Sequence, residues 1–156
     1  MNRASFILYL AVVAGITSCT SSTSSEASLI GNWSVSESLS PGHYTTQLTF
    51  AGDGTFTDAV RIFGSYGGQS NNDLSSYSIM SGTYKVEGDK LQTNITHTVV
   101  WDRFYGANSP ETVQTVNITV FDQTHFRIVG QMLTLDYLSY PADAPVPTTK
   151  SFIRVE

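Results

Sequence analysis

A single cysteine, Cys19, stands among the 156 residues, so no disulfide can form within the chain and burial with hydrogen bonding must hold any fold. Charge is scarce as well. Only 13% of residues are Asp, Glu, Lys or Arg, and 13 acidic residues outnumber eight basic ones for a net charge of −5. Arg61, Lys85, Lys90, Arg103, Arg127, Lys150 and Arg154 are scattered singly, which argues against a nucleic-acid partner and against a polybasic membrane patch. Metal-binding patterns are lacking. His43, His97 and His125 fall on different predicted strands, with no His-x-x-x-His spacing, no cysteine pair and no carboxylate-rich calcium loop. There is no Gly-x-Ser-x-Gly elbow, phosphate loop or dinucleotide fingerprint. Asp58 and Asp102 are isolated carboxylates, and such residues are more often solvated or hydrogen bonded structurally than catalytic. The reading is therefore of no enzyme, no catalytic residue, no metal and no cofactor.

The N-terminus carries the most specific signal. Met1-Asn2-Arg3 precedes an apolar run from Ala4 to Gly15, then Ile16-Thr17-Ser18-Cys19. A short positive region, a brief apolar stretch and small residues describe a secretory signal, too short for a spanning helix. The tetrad resembles the lipobox of bacterial lipoproteins. That resemblance implies removal of residues 1–18 and acylation of Cys19, leaving a protein of net charge −6 anchored in the bacterial cell envelope, at the outer membrane. An ordinary secretory signal and a retained N-terminal helix are the alternatives. Residues 19–28, mostly Ser and Thr, cannot bury apolar surface and read as a tether.

From residue 29 to 156 the hydrophobic period is two. Tyr44, Thr46, Leu48 and Phe50 share a face, as do Phe56, Asp58, Val60 and Ile62; Gly82, Tyr84 and Val86; and Leu91, Ile95, His97, Val99 and Trp101. Val, Ile, Thr, Tyr and Phe dominate, as pleated surfaces favour. The runs predict about eight strands near 30–37, 43–50, 55–63, 77–87, 90–104, 113–121, 125–136 and 150–155. Ala51-Gly52-Asp53-Gly54 and Glu87-Gly88-Asp89 supply tight turns. Pro141, Pro145 and Pro147 argue against regular pairing over 139–149. The expected fold is all-β, a single antiparallel up-and-down barrel whose closure removes its edges.

Leu29-Ile30-Gly31-Asn32-Trp33 resembles the Gly-x-Trp opening of the lipocalins. The stretches 48–56 and 82–91 are similar to hairpins of lipocalin-like domains in bacterial envelope lipoproteins. The resemblance implies that Trp33 plugs one end of the barrel and that a basic residue of the closing strand, here Arg154, lies across it. Strand parity opposes that pairing if Ile153 and Val155 face inward. No segment after Phe152 matches the C-terminal helix of many lipocalins.

The leading functional expectation is non-catalytic binding of a small hydrophobic or amphipathic ligand, lined by Tyr84, Ile95, His97, Val99 and Trp101. Arg103 shares their parity but is expected to reach solvent. The alternative is a protein-recognition module in the envelope that uses Tyr66, Tyr77, Tyr105, Tyr137 and Tyr140 in or beside the longer loops.

Overall fold

The computed structural model describes residues 25–64, 70–106, 108–140 and 144–156. Cys19, the segment 1–18, most of the tether, Tyr66, Pro141 and the side chain of Tyr105 lie outside the described residues. A one-turn helix, α1 (Glu26–Leu29), leads into nine strands: β1 (Gly31–Ser38), β2 (His43–Phe50), β3 (Thr55–Phe63), β4 (Leu74–Glu87), β5 (Lys90–Asp102), β6 (Thr112–Ile118), β7 (Asp122–Val129), β8 (Met132–Ser139) and β9 (Val146–Val155). The ladder order β4-β3-β2-β1-β9-β8-β7-β5-β6, with β4 also paired to β5, closes an eight-stranded antiparallel barrel. β6 is the additional strand.

Two of the expected strands resolve differently. The run 125–136 is the hairpin β7–β8, because Gly130 takes φ +59° and turns the chain between Val129 and Met132. The run 113–121 is β6, which lies along β5 outside the closed ring. The eight barrel strands are thus not the same eight segments. Pro147 also sits within a strand, opposite Leu138. It is tolerated because β9 pairs with β1 only at Ile153–Val155, which leaves the Pro147 edge outside that ladder.

The up-and-down order places the start of β1, the end of β9 and the β2–β3, β4–β5 and β7–β8 turns at one end of the barrel. This end is filled. Leu29, Trp33, Leu48, Phe50, Phe56, Leu91, Ile95, Leu133, Leu135 and Phe152 are each no more than 2% exposed, and burial of each such side chain contributes on the order of 1.5–3 kcal/mol. Phe50 tilts on Phe56 at 4.9 Å and meets Tyr84 edge-on at 5.1 Å. Towards the other end the inward positions Val60, Ile62, Met80 and Tyr137 are only partly buried.

Candidate functional site

Three residues seal the filled end. Trp33 is fully buried, and its indole N–H donates to the Leu29 carbonyl at 2.8 Å. Arg154 lies over the indole with its guanidinium carbon 4.1 Å from the ring centroid. Its two terminal nitrogens donate to the carbonyls of Ile30 (2.8 Å) and Ser28 (2.5 Å). The carbonyls left over at the end of α1 thereby find donors. The parity conflict vanishes because Ile153 is 53% exposed while Phe152 is 1% exposed, so Phe152 and Arg154 face inward. Gly31 takes φ +136°, a conformation that favours glycine, and a Cβ there would stand 2.6 Å from the Arg154 guanidinium, which would have to shift. This constellation is a structural lock.

The expected ligand face splits at Thr96. Gly82 opposes Ile95 while Ser81 opposes His97, so Thr96 is an extra residue in β5. Such a bulge inverts the inward–outward alternation beyond it. Gly82 makes room for it, since a Cβ there would stand 1.9 Å from the Asn94 carbonyl oxygen. Tyr84 and Ile95 therefore face the core, whereas His97, Val99 and Trp101 face the exterior, contrary to the sequence expectation. Trp101 stacks on Tyr77 at 5.7 Å beside a small hollow of about 260 Å³ that Leu74, Ser109 and Glu111 complete. Arg103 is exposed in a single 3-10 turn over Arg103–Tyr105 that Asp102 caps.

Among the described side chains the tyrosines do not converge. Tyr77 donates its hydroxyl to Glu111, Tyr137 is partly buried and packs on Phe121 at 4.9 Å, and Tyr140 is 52% exposed. Nor do the histidines: His43 stacks on Phe63 at 4.8 Å, His97 meets Thr96 at 3.0 Å, and His125 pairs with Asp89 at 2.9 Å. Among the described residues no group of three His, Cys, Asp or Glu could hold a metal ion.

Polar residues occupy the middle of the barrel. Lys150 reaches Glu37 at 2.7 Å and Thr46 at 3.3 Å, crossing the seam where β1 and β9 part. Lys150 and Tyr44 hold the Glu37 carboxyl below its usual range, while burial and Glu37 push Tyr44 up to about 12. Asp58 is 5% exposed, and its Oδ1 has no hydrogen-bond partner. Burial lifts its carboxyl to about 6 even though Lys150 pulls the other way.

A cleft opens in the side wall where the barrel ladder is interrupted. β5 pairs with β7 at Lys90 and Leu91 and with β6 from Ile95 onward, so Gln92, Thr93 and Asn94 form no ladder pair on that edge. Opposite them the link between β6 and β7 arches away, with Phe121 at φ +54°, and Gln123 at the start of β7 takes φ +50°. Side chains seldom adopt this left-handed conformation, and such strain concentrates at functional sites. The Thr93 hydroxyl donates to the Val120 carbonyl and the Thr124 hydroxyl to that of Phe121, which fixes the arch. The cleft encloses about 650 Å³. Tyr84, Leu91 and Phe121 supply its apolar surface, and Thr83, Gln92, Asn94, Thr119 and Gln123 supply hydroxyl and amide groups. Lys85, Lys90 and His125 add basic side chains, and among the described side chains no carboxylate lines it. Of the residues expected to line a pocket, only Tyr84 belongs to this cleft. The sequence clue to the rest was slight: two lysines flank the β4–β5 turn, and Thr119 to Gln123 breaks the alternation.

No known protein family, no curated protein and no solved structure matches the chain.

Proposed function

We propose that this chain is a membrane-tethered binding protein that holds a small amphipathic molecule in the side cleft without transforming it. The observation that carries the reading is the cleft of about 650 Å³, which combines an apolar floor with polar groups at a strained break in the barrel wall. Small-molecule sites fall on the order of 300–1,000 Å³ and join apolar walls to a few oriented polar groups. The filled end of the barrel leaves the side wall, not that end, as the place for a ligand. The lipobox-like tetrad 16–19 supports the tether: acylation of Cys19 would place the protein on an envelope membrane, at the outer membrane in the reading offered here, and stable anchoring takes more than one acyl chain.

The test is a titration of the Cys19→Ser chain with the neutral fluorophore N-phenyl-1-naphthylamine. Saturable binding is expected, lost when Asn94→Trp fills the cleft and kept in Trp101→Ala. Absent binding, or binding indifferent to Asn94→Trp, would overturn the reading. Mass spectrometry of the mature N-terminus tests the anchor, which an unmodified Cys19 or cleavage at another site would refute.

A further inference from the structure

The cleft differs in charge from the chain that contains it. Acidic residues outnumber basic ones 13 to eight overall, yet Lys85, Lys90 and His125 line the cleft and, among the described side chains, no Asp or Glu does. Lys85, Lys90 and His125 are exposed, and Arg127 continues the same face of β7 two residues beyond His125. Two carboxylates stand beside this group at the turn: Glu87 opposes Lys90 in the hairpin, and Asp89 pairs with His125 at 2.9 Å.

The remaining lining groups count as donors. Thr83, Thr119, Gln92, Asn94 and Gln123 bring hydroxyls and amide N–H groups beside the two ammonium groups. That supply exceeds what the two oxygens of a carboxylate can accept and suits the three or four oxygens of a phosphate.

Position adds a second argument. The β4–β5 turn lies at the sealed end, the end from which the N-terminal segment departs. Tyr84, which lines the cleft, lies close to this end: its hydroxyl donates to the Ala51 carbonyl of the β2–β3 turn at 2.9 Å, and burial first, then the Glu26 carboxylate of α1, holds that phenol above its ordinary range. Cys19 and Glu26 are seven residues apart, at most about 25 Å of chain. An anchor at Cys19 would therefore hold the cleft beside the headgroups of the membrane.

We infer that the cleft recognises the phosphate head of an anionic amphiphile, with Lys85 and Lys90 as the charged contacts and the threonine and amide groups as hydrogen-bond donors. The inference rests on the cleft being the binding site. Attraction between a lysine and an anionic headgroup is strong enough for the pair to dominate head selectivity.

The experiment compares dodecyl phosphate, dodecyl maltoside and dodecyltrimethylammonium on the Cys19→Ser chain, which removes acylation from the readout. Dodecyl phosphate is expected to bind about tenfold more tightly than dodecyl maltoside. Lys85→Gln/Lys90→Gln should erase that preference, while Arg61→Gln/Arg103→Gln, the same charge change at the far end, should leave it. Equal affinity for the phosphate and maltoside heads, or an equal loss in both double variants, overturns the inference and leaves the cleft reading standing. Failure of all three amphiphiles to bind overturns both. Inorganic phosphate, and vesicles of phosphatidylglycerol with phosphatidylcholine against phosphatidylcholine alone, then separate the two sources of the head. Capture by the mixed vesicles alone assigns a lipid, and saturation by inorganic phosphate assigns a soluble phosphate compound; either supports the recognition chemistry.

Discussion

The seal and the side cleft sit at the same end of the barrel, yet they are built on opposite principles. In the seal, polar groups are matched: the Trp33 indole N–H and the Arg154 guanidinium take up the carbonyls of Ser28, Leu29 and Ile30 around a fully buried ring. In the cleft the ladder is left open along Gln92 to Asn94, the opposing backbone is strained, and the side chains are mostly exposed and polar. The difference teaches where this fold keeps its stability and where it leaves its wall open. A closed barrel without disulfides concentrates its stability in a plugged core and can then carry a defect in the wall.

The comparison is broken most forcefully at the seal. Trp33→Ala removes a fully buried indole together with the cation–π contact and is expected to destabilise by about 3–5 kcal/mol in urea unfolding. A loss under about 1 kcal/mol would mean that the seal is not where stability resides. Next comes the charged layer between the two ends of the barrel. A carboxyl lifted from 3.8 to about 6 stabilises the fold fully below its unfolded value, and that contribution fades as pH rises through 6. Asp58 should therefore cost about 2 kcal/mol of stability between pH 4 and pH 6, out of a full loss of about 3 kcal/mol once the pH is well above 6. Asp58→Asn should flatten this slope; an unchanged slope would assign it to another group. Glu37, held below its ordinary range by Lys150, acts in the opposite sense and only at more acid pH.

Gly31→Ala should cost about 1–3 kcal/mol, since it forces a side chain into a positive-φ position and against Arg154. Pairing it with Arg154→Ala separates the two causes: a cost that persists without the guanidinium belongs to the backbone. The smallest effect on stability belongs to the cleft, where Lys85→Gln/Lys90→Gln should stay within about 0.5 kcal/mol of the parent. A large loss there would erase the contrast between the two regions.

Much of the barrel was legible because its strands alternate in period two and its turns carry Gly and Asp at the needed places. Asp53, for instance, accepts from both the backbone N–H and the hydroxyl of Thr55. What failed to show were single-residue events. Thr96 carries no mark of a bulge, yet it turns His97, Val99 and Trp101 from the core to the exterior; the one hint is Gly82 on the neighbouring strand, where a side chain would block the approach. Gly130 lies inside an apolar run whose alternation continues across a two-residue turn, so β7 and β8 read as one strand. The cleft was the least legible feature. It is assembled from β4, β5, the β6–β7 link and the start of β7, and Phe121 and Gln123 take conformations there that their residue types do not announce. The seal was readable in its tryptophan and glycine, while Arg154 depended on a strand parity that only the burial of Phe152 decides.

The central claim is that ligand engages the wall defect and leaves the plugged end undisturbed. Amide hydrogen exchange of the Cys19→Ser chain, with and without dodecyl phosphate, tests it most directly. Added protection is predicted over residues 83–94 and 119–125, with residues 29–34 and 150–155 unchanged; protection centred on the interior positions of Tyr44, Val60, Met80 and Tyr137, or none at all, would contradict it.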